Sequence, residues 1–285
     1  MIVQNTKQIL QKYKQFAKKL YGQNFLIDSN VLNNIITYSK LSKQTGVIEI
    51  GPGLGALTEY LALAAKKVLA YEIDQDMVSI LQETTRQYDN IVIINEDILQ
   101  AELEQDIEKY CNDCAEIVVV SNLPYYITSP ILFRLLEIAQ IKKYILMVQK
   151  EVGYRIVSKP KTKEYGLLSV WMQYNSQCRL LSNVSSNCFY PAPKVESALV
   201  EVLVTKNDYG LKNDVNFLKF LQGIFSQRRK TLSNNLFTYY GLQKEKTKQM
   251  FNQFGWKELV RAEELSVKEL IDLYQYLSES DEIHD

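Results

Sequence analysis

Between about residues 46 and 205 the chain alternates short, nearly unbroken apolar runs with amphipathic stretches, and no other feature restricts its fold as much. The runs are GVIEI (46–50), KVLAYEI (67–73), IVIIN (91–95), EIVVV (116–120), KYILMV (143–148) and SALVEVLV (197–204). Between them lie helical patterns such as LGALTEYLALAA and DMVSILQETTRQ. Strand–helix alternation of this kind predicts an α/β fold, a parallel sheet with helices on both faces. The continuity of the apolar runs suits strands buried on both sides. A polar stretch, NDYGLKND (207–214), reads as a linker. Beyond it only helical patterns follow: FLKFLQGIFSQ, TLSNNLFTYY, EKTKQMFNQF and SVKELIDLYQYL. The expected organisation is therefore a larger domain over residues 1–206 and a small all-helical domain over 207–285.

Charge and cysteine usage narrow the function classes. The formal net charge is zero, whereas nucleic-acid binders are usually basic. The basic residues are nevertheless clustered. Lys7, Lys12, Lys14, Lys18 and Lys19 occupy an N-terminal stretch without acids, Lys142 to Lys163 form a second group, and Arg228-Arg229-Lys230 a third. Local patches on a neutral chain still steer a polyanion, although such clusters also serve only to solvate a surface. Cys111 and Cys114 form a CxxC that Cys178 and Cys188 do not complete, and the one histidine is His284. That argues against a structural zinc site and against His-based acid–base chemistry. Free thiols, no apolar leader and no run long enough to cross a bilayer predict a cytoplasmic protein.

The motifs fall at the ends of the apolar runs, where open parallel sheets bind their ligands. Glu49-Ile50-Gly51-Pro52-Gly53-Leu54-Gly55 closes the first run and opens a helix. Glycines there allow a tight turn and close approach of a ligand, or serve packing alone. Glu72, at the end of the next run, is placed to accept ribose hydroxyls. The G-x-G-x-G spacing departs from the dinucleotide fingerprint, and Glu49 beside the loop would repel a pyrophosphate. A cationic sulfonium ligand such as S-adenosylmethionine fits better. Asp97, followed by Ile98, is either a turn or N-cap residue or an acceptor for an exocyclic amine. Ser121-Asn122-Leu123-Pro124-Tyr125-Tyr126 ends the fourth run. Pro124 holds Leu123 extended, Asn122 offers an amide oxygen and Tyr125 a ring face. These groups either form a proline turn packed on the core or receive a nucleobase taken out of its stack.

In series, EIGPGLG, YEID, EDIL and NLPYYITSPIL resemble the motifs of the ribosomal RNA adenine N6-dimethyltransferases. The stretch Gly22-Gln23-Asn24-Phe25-Leu26-Ile27-Asp28 is similar to that family's GQNFLID element. Phe189-Tyr190-Pro191-Ala192-Pro193-Lys194-Val195-Glu196-Ser197 is similar to its FxPxPKVxS element, and Phe225 to Leu232 resembles the FxQRRKTL of members acting on small-subunit rRNA. The resemblance runs in order from about residue 18 to 240. It implies a Rossmann-like S-adenosylmethionine-dependent methyltransferase sheet with a small C-terminal helical domain. It implies cofactor contacts by Asn24, Leu26, Gly51, Gly53, Glu72, Ile73, Asp97, Ile98 and Asn122, with no metal. It places the target adenine at Asn122, Leu123, Pro124 and Tyr125, between the rings of Tyr125 and Phe189. Lys18, Lys19, Arg228, Arg229 and Lys230 are the expected RNA contacts. The implied activity is dimethylation of two adjacent adenosines near the 3′ end of 16S rRNA in the 30S subunit or its precursor. No heptad or other self-association signal stands out, which predicts a monomer. Three alternatives remain: a 23S rRNA methylase conferring macrolide resistance, a non-catalytic assembly factor on the same fold, and a nicotinamide oxidoreductase.

Overall fold

The computed structural model describes residues 6–13, 24–205, 209–211, 214–280 and 282. Lys18 and Lys19, with Gly22 and Gln23 of the GQNFLID element, lie outside the described residues. The chain divides into two compact units. One runs to Gly153 and resumes at Gln177–Thr205; the other joins Tyr154–Ser176 to the chain from Lys206 onward. The stretch 154–176, which its sequence position assigns to the larger domain, thus groups with the C-terminal helices.

The first unit is built on a seven-stranded sheet. Its parallel part contains β2 (Thr45–Ile50), β3 (Lys67–Tyr71), β4 (Ile91–Ile94), β5 (Glu116–Asn122) and β6 (Ile141–Gln149). In chain order the first strand of the molecule is β1 (Phe25–Leu26), and β7 (Ser176–Val184), β8 (Phe189–Tyr190) and β9 (Ser197–Val204) complete the set. The spatial order is β4-β3-β2-β5-β6-β9-β7, with β9 antiparallel to β6. Five of the seven strands therefore run as the alternation predicts, and β9 departs from it. Val47, Ile48, Val68, Leu69, Val119, Val120, Ile145 and Leu146 are essentially sealed from solvent. Their β-branched and leucine side chains fill both faces of a central strand, which stabilises the sheet by burial. β7 does not stand out as an apolar run because it is an edge strand, with most of its side chains half-buried or exposed.

Helices α2 (Ser29–Ser39), α3 (Ala56–Ala64), α4 (Gln75–Thr84), α5 (Leu103–Cys111) and α6 (Thr128–Leu136) connect the strands, after a short α1 (Thr6–Lys12). Asp28 caps α2, accepting the amides of Asn30 at 2.9 Å and Val31 at 3.1 Å. β1 and β8 form a separate two-stranded ribbon pairing Phe25 with Tyr190 and Leu26 with Phe189. The ribbon unites the GQNFLID and FxPxPKVxS elements, which lie more than 160 residues apart in the chain.

After α7 (Lys150–Val157), the second unit contains α8 (Leu167–Asn175), α9 (Asp214–Phe225), α10 (Leu232–Tyr240), α11 (Lys244–Phe254) and α12 (Val267–Glu279). Its core is aromatic. Tyr174, Phe217, Phe220 and Tyr274 pack with ring centroids 5.0–6.4 Å apart, in the range where such pairs attract. The Tyr174 hydroxyl donates to Asp214 Oδ1 at 2.5 Å. Arg228, Arg229 and Lys230 form an exposed turn between α9 and α10, and Arg228 donates to the Lys163 carbonyl within the same unit.

Candidate active site

A cavity of about 250 Å³ opens in the first unit at the carboxyl ends of β2, β3, β4 and β5. Strand order reverses between β2 and β5, the crevice where doubly wound sheets hold ligands. The backbone ladder between them ends at Ile48 and Val119. Past that point the Ser121 hydroxyl takes over: it donates to the Ile50 carbonyl at 2.7 Å and accepts the Ile50 amide at 3.3 Å. One side chain thus satisfies the backbone where the strands part.

The glycine loop follows β2. Gly51 and Gly53 have φ of +67° and +56°, values that L side chains rarely tolerate. A Cβ on Gly53 would stand 2.9 Å from the Phe25 ring. Glu72 follows β3 and is buried. Its Oε2 accepts the Gly53 amide at 3.1 Å and its Oε1 the Asp74 amide at 2.9 Å. Burial raises its pKa, and the two amides oppose that rise. Glu72 therefore fixes the glycine loop while standing on the cavity wall. Asp97, after β4, spends Oδ1 on the Leu99 amide at 3.0 Å. Ile98 beside it is buried and Ile73 is 45% exposed, and both line the cavity.

Asn122 ends β5. Its Nδ2 donates to the Asn24 carbonyl at 3.3 Å, and its Oδ1 is buried with no hydrogen-bond partner among the described residues. A buried amide oxygen without a donor carries a desolvation penalty that a ligand N–H removes. The Leu123 amide donates to the Met147 carbonyl at 3.0 Å, which anchors the turn to β6. The Tyr125 hydroxyl shares a 2.5 Å hydrogen bond with Ser197 Oγ at the start of β9, so its ring is held from behind.

The cavity brings together Asn24, Leu26, Gly51, Gly53, Glu72, Ile73, Asp97, Ile98, Asn122, Leu123, Pro124 and Tyr125. It does not bring in Phe189. That ring is 3% exposed and packs with Leu26, Val120 and Met147 in the core. The reason is strand alternation: in β8 Phe189 turns inward and Tyr190 turns out, 36% exposed. Arg228, Arg229 and Lys230 belong to the other unit. Thr6 from α1, Tyr71, Leu99, Tyr126 and the bridging Ser121 escape a reading of the sequence. Ser121 stands within a quoted motif and a small hydroxyl at a strand end is its only signal; Thr6 has none.

Among the described residues, the charged groups on the wall are Glu49, Glu72, Glu96 and Asp97, with no Lys, Arg or His. An all-acidic lining repels phosphates and suits a cation, so it speaks against a dinucleotide. Among the described residues no group of three or more His, Cys, Asp or Glu is placed to hold a metal ion, and no helix is long and apolar enough to cross a membrane.

Comparison with known proteins agrees with this chemistry. The family model for the ribosomal RNA adenine dimethylases matches residues 14–279. The ribosomal RNA small subunit methyltransferase A of Staphylococcus aureus (strain JH9) is 44% identical over 275 residues, covering 95% of this chain and 93% of that one. Among solved structures, a dimethyladenosine transferase from Plasmodium falciparum superposes with a TM-score of 0.73 at 23% identity, covering 90% of this chain and 98% of that chain. The 23S rRNA methyltransferase ErmE superposes with a TM-score of 0.66 at 24% identity, covering 90% and 100%. At those identities the two structures speak to the fold alone. On the span of the family model and the level of identity, the chain belongs to the ribosomal RNA adenine dimethylase family.

Proposed function

We propose that this chain transfers methyl groups from S-adenosylmethionine to the N6 of two adjacent adenosines near the 3′ end of 16S rRNA. It does so within the 30S subunit or its precursor, in the cytoplasm, as a monomer, and so takes part in small-subunit maturation. The observation that carries the chemistry is the unpartnered Oδ1 of Asn122 on the wall of an acid-lined cavity. The small-subunit assignment is supported by the 44% identity to a small-subunit methyltransferase over nearly the whole of both chains.

The lining fits the methyl donor: among the described residues acids and no bases face a cation, and the Gly53 cradle leaves no room for a side chain. When bound, the donor supplies a methyl group on a positively charged sulfur. Gly51 and Gly53 would border its methionine part, Glu72 would accept from its ribose, and the Asp97 oxygen not taken by Leu99 would accept from its adenine amine. Leu26, Ile73 and Ile98 offer apolar contact, and Asn24 orients Asn122 through its carbonyl.

Asn122 Oδ1 would accept one N6–H of the flipped target base, and the Leu123 carbonyl the other. Those bonds favour a pyramidal nitrogen whose lone pair points at the methyl group. The methylated nitrogen is cationic and acidic and releases its proton to water, so no strong base is required. Catalysis then rests on positioning and fixed dipoles. The tethered Tyr125 ring provides one stacking face, worth about 1–3 kcal/mol per base.

The test is transfer of labelled methyl groups to purified unmethylated 30S and 50S subunits, with the nucleoside identified. N6,N6-dimethyladenosine confined to 30S is the expected result. Label confined to 23S rRNA would move the chain to the large-subunit branch, and no label in either would overturn the catalytic reading.

A further inference from the structure

Of the four acids on the cavity wall, Glu49 is bonded unlike the others. Glu72 receives backbone amides on both oxygens, Asp97 receives one, and Glu96 is exposed to water. Glu49 is 2% exposed, and its Oε2 has no hydrogen-bond partner among the described residues. It lies within β2, paired with Ala70 of β3, where the nearby amides serve the ladder. A buried carboxyl group with an oxygen left unsatisfied is more stable neutral than charged. Burial pushes Glu49 up to about 8; the Thr58 hydroxyl opposes this, and the Glu72 carboxylate adds to it.

Few other charges face it. From β3, Glu72 is the acid that acts on it, while Tyr71 donates its hydroxyl to Asp106 at 2.9 Å. From α3, Glu59 accepts from Tyr88 at 3.1 Å. Among the described residues no cation lines the cavity to hold Glu49 ionised.

We propose that Glu49 is a proton-linked counter-ion for the methyl donor, through which this cavity distinguishes the sulfonium donor from its demethylated product, whose sulfur is neutral. The inference rests on reading the cavity as the S-adenosylmethionine site. Glu72 cannot play this part as freely, because both of its oxygens are committed to the loop. Glu49 has an open oxygen on the wall. A positive centre nearby favours its charged form, so it releases a proton to solvent when the donor enters. Once the methyl group has gone, the ligand sulfur is neutral, the carboxylate loses its counter-charge and takes a proton back. One proton leaves and one returns per cycle. The energy of pairing is available to the donor and absent for the product, which favours exchange of one for the other.

The experiment is calorimetric titration of the full-length protein with S-adenosylmethionine and with S-adenosylhomocysteine, in buffers of different ionisation heat. At pH 6.5 the α-amino groups of both ligands are protonated, being below about 7.7–8.0, and do not contribute. The wild type is expected to release close to one proton per donor bound and clearly fewer per product, which lacks the sulfonium charge. Its preference for donor over product should grow with pH by up to about tenfold per unit below the Glu49 pKa. Glu49→Gln should release no proton with either ligand, and its preference should be flat with pH. Should Glu49→Gln fail to fold, the wild-type proton count still overturns the proposal if no proton is released. Donor binding without proton release by the wild type would overturn the role of Glu49 and leave the site reading standing. A wild type that binds neither ligand would overturn both.

Discussion

The side chain of Asn122 is held from one side only. Its Nδ2 reaches the Asn24 carbonyl, and its Oδ1 stands at the cavity wall with nothing to accept. This is the arrangement of an acceptor waiting for a donor that none of the described residues supplies. Asn122→Ala removes the acceptor and leaves the glycine loop and Glu72 in place. The methylation rate should fall by on the order of 10²-fold or more, the scale on which a misplaced reacting group slows a reaction. Donor affinity, read by calorimetry, should change far less; an equal loss in both would assign Asn122 to binding alone. At this scale the motifs expose the identity of most lining residues but not their bonding. Glu72 reads in sequence as a ribose acceptor, yet it is also the clamp on Gly53. Phe189 reads as a stacking ring, yet β8 turns it into the core.

At the scale of elements, the site depends on how strand ends are finished. The glycine loop adopts positive φ at Gly51 and Gly53, with the Phe25 ring against the second. Gly53→Ala should cost about 1–2 kcal/mol from the left-handed backbone alone. Its Cβ would also meet the ring at 2.9 Å and move either the loop or β1. A lower melting temperature together with at least tenfold weaker donor binding is expected. Unchanged donor affinity would show that the loop does not border the ligand. The central strands are readable because burial on both faces demands continuous apolar residues. Edge strand β7 and the two-residue β1 and β8 are not. The first lacks that demand, and the others exist only because two distant segments meet.

At the scale of the molecule, two properties can be measured. The basic turn Arg228-Arg229-Lys230 is exposed on the helical unit. Replacing all three with Ala should weaken rRNA or subunit binding and reduce the salt dependence of log K by up to about 0.7–0.9 for each phosphate no longer neutralised. Donor binding should be unaffected; an unchanged salt slope would make the turn a solvated surface. The second property is stability without ligand. Glu49 binds a proton more tightly folded than unfolded, since burial raises its folded pKa from 4.5 to about 8. The folded state therefore holds the extra proton across that window, and stability is lost as pH rises through it. Melting temperatures of the ligand-free protein should fall between about pH 5 and pH 8, reflecting a stability loss on the order of a few kcal/mol at most. Glu49→Gln should flatten the profile; an unchanged slope would assign it to other groups. The sequence by itself determined the α/β alternation, the buried strands, the helical tail and the motif residues, because periodicity and local turn chemistry are properties of neighbours in the chain. Only the tertiary structure decided that stretch 154–176 joins the helical unit, that β9 runs antiparallel, that Phe189 faces inward and that Oε2 of Glu49 is left without a donor among the described residues. Each of these depends on which distant segments pack together, and burial and hydrogen-bond satisfaction are settled by that packing.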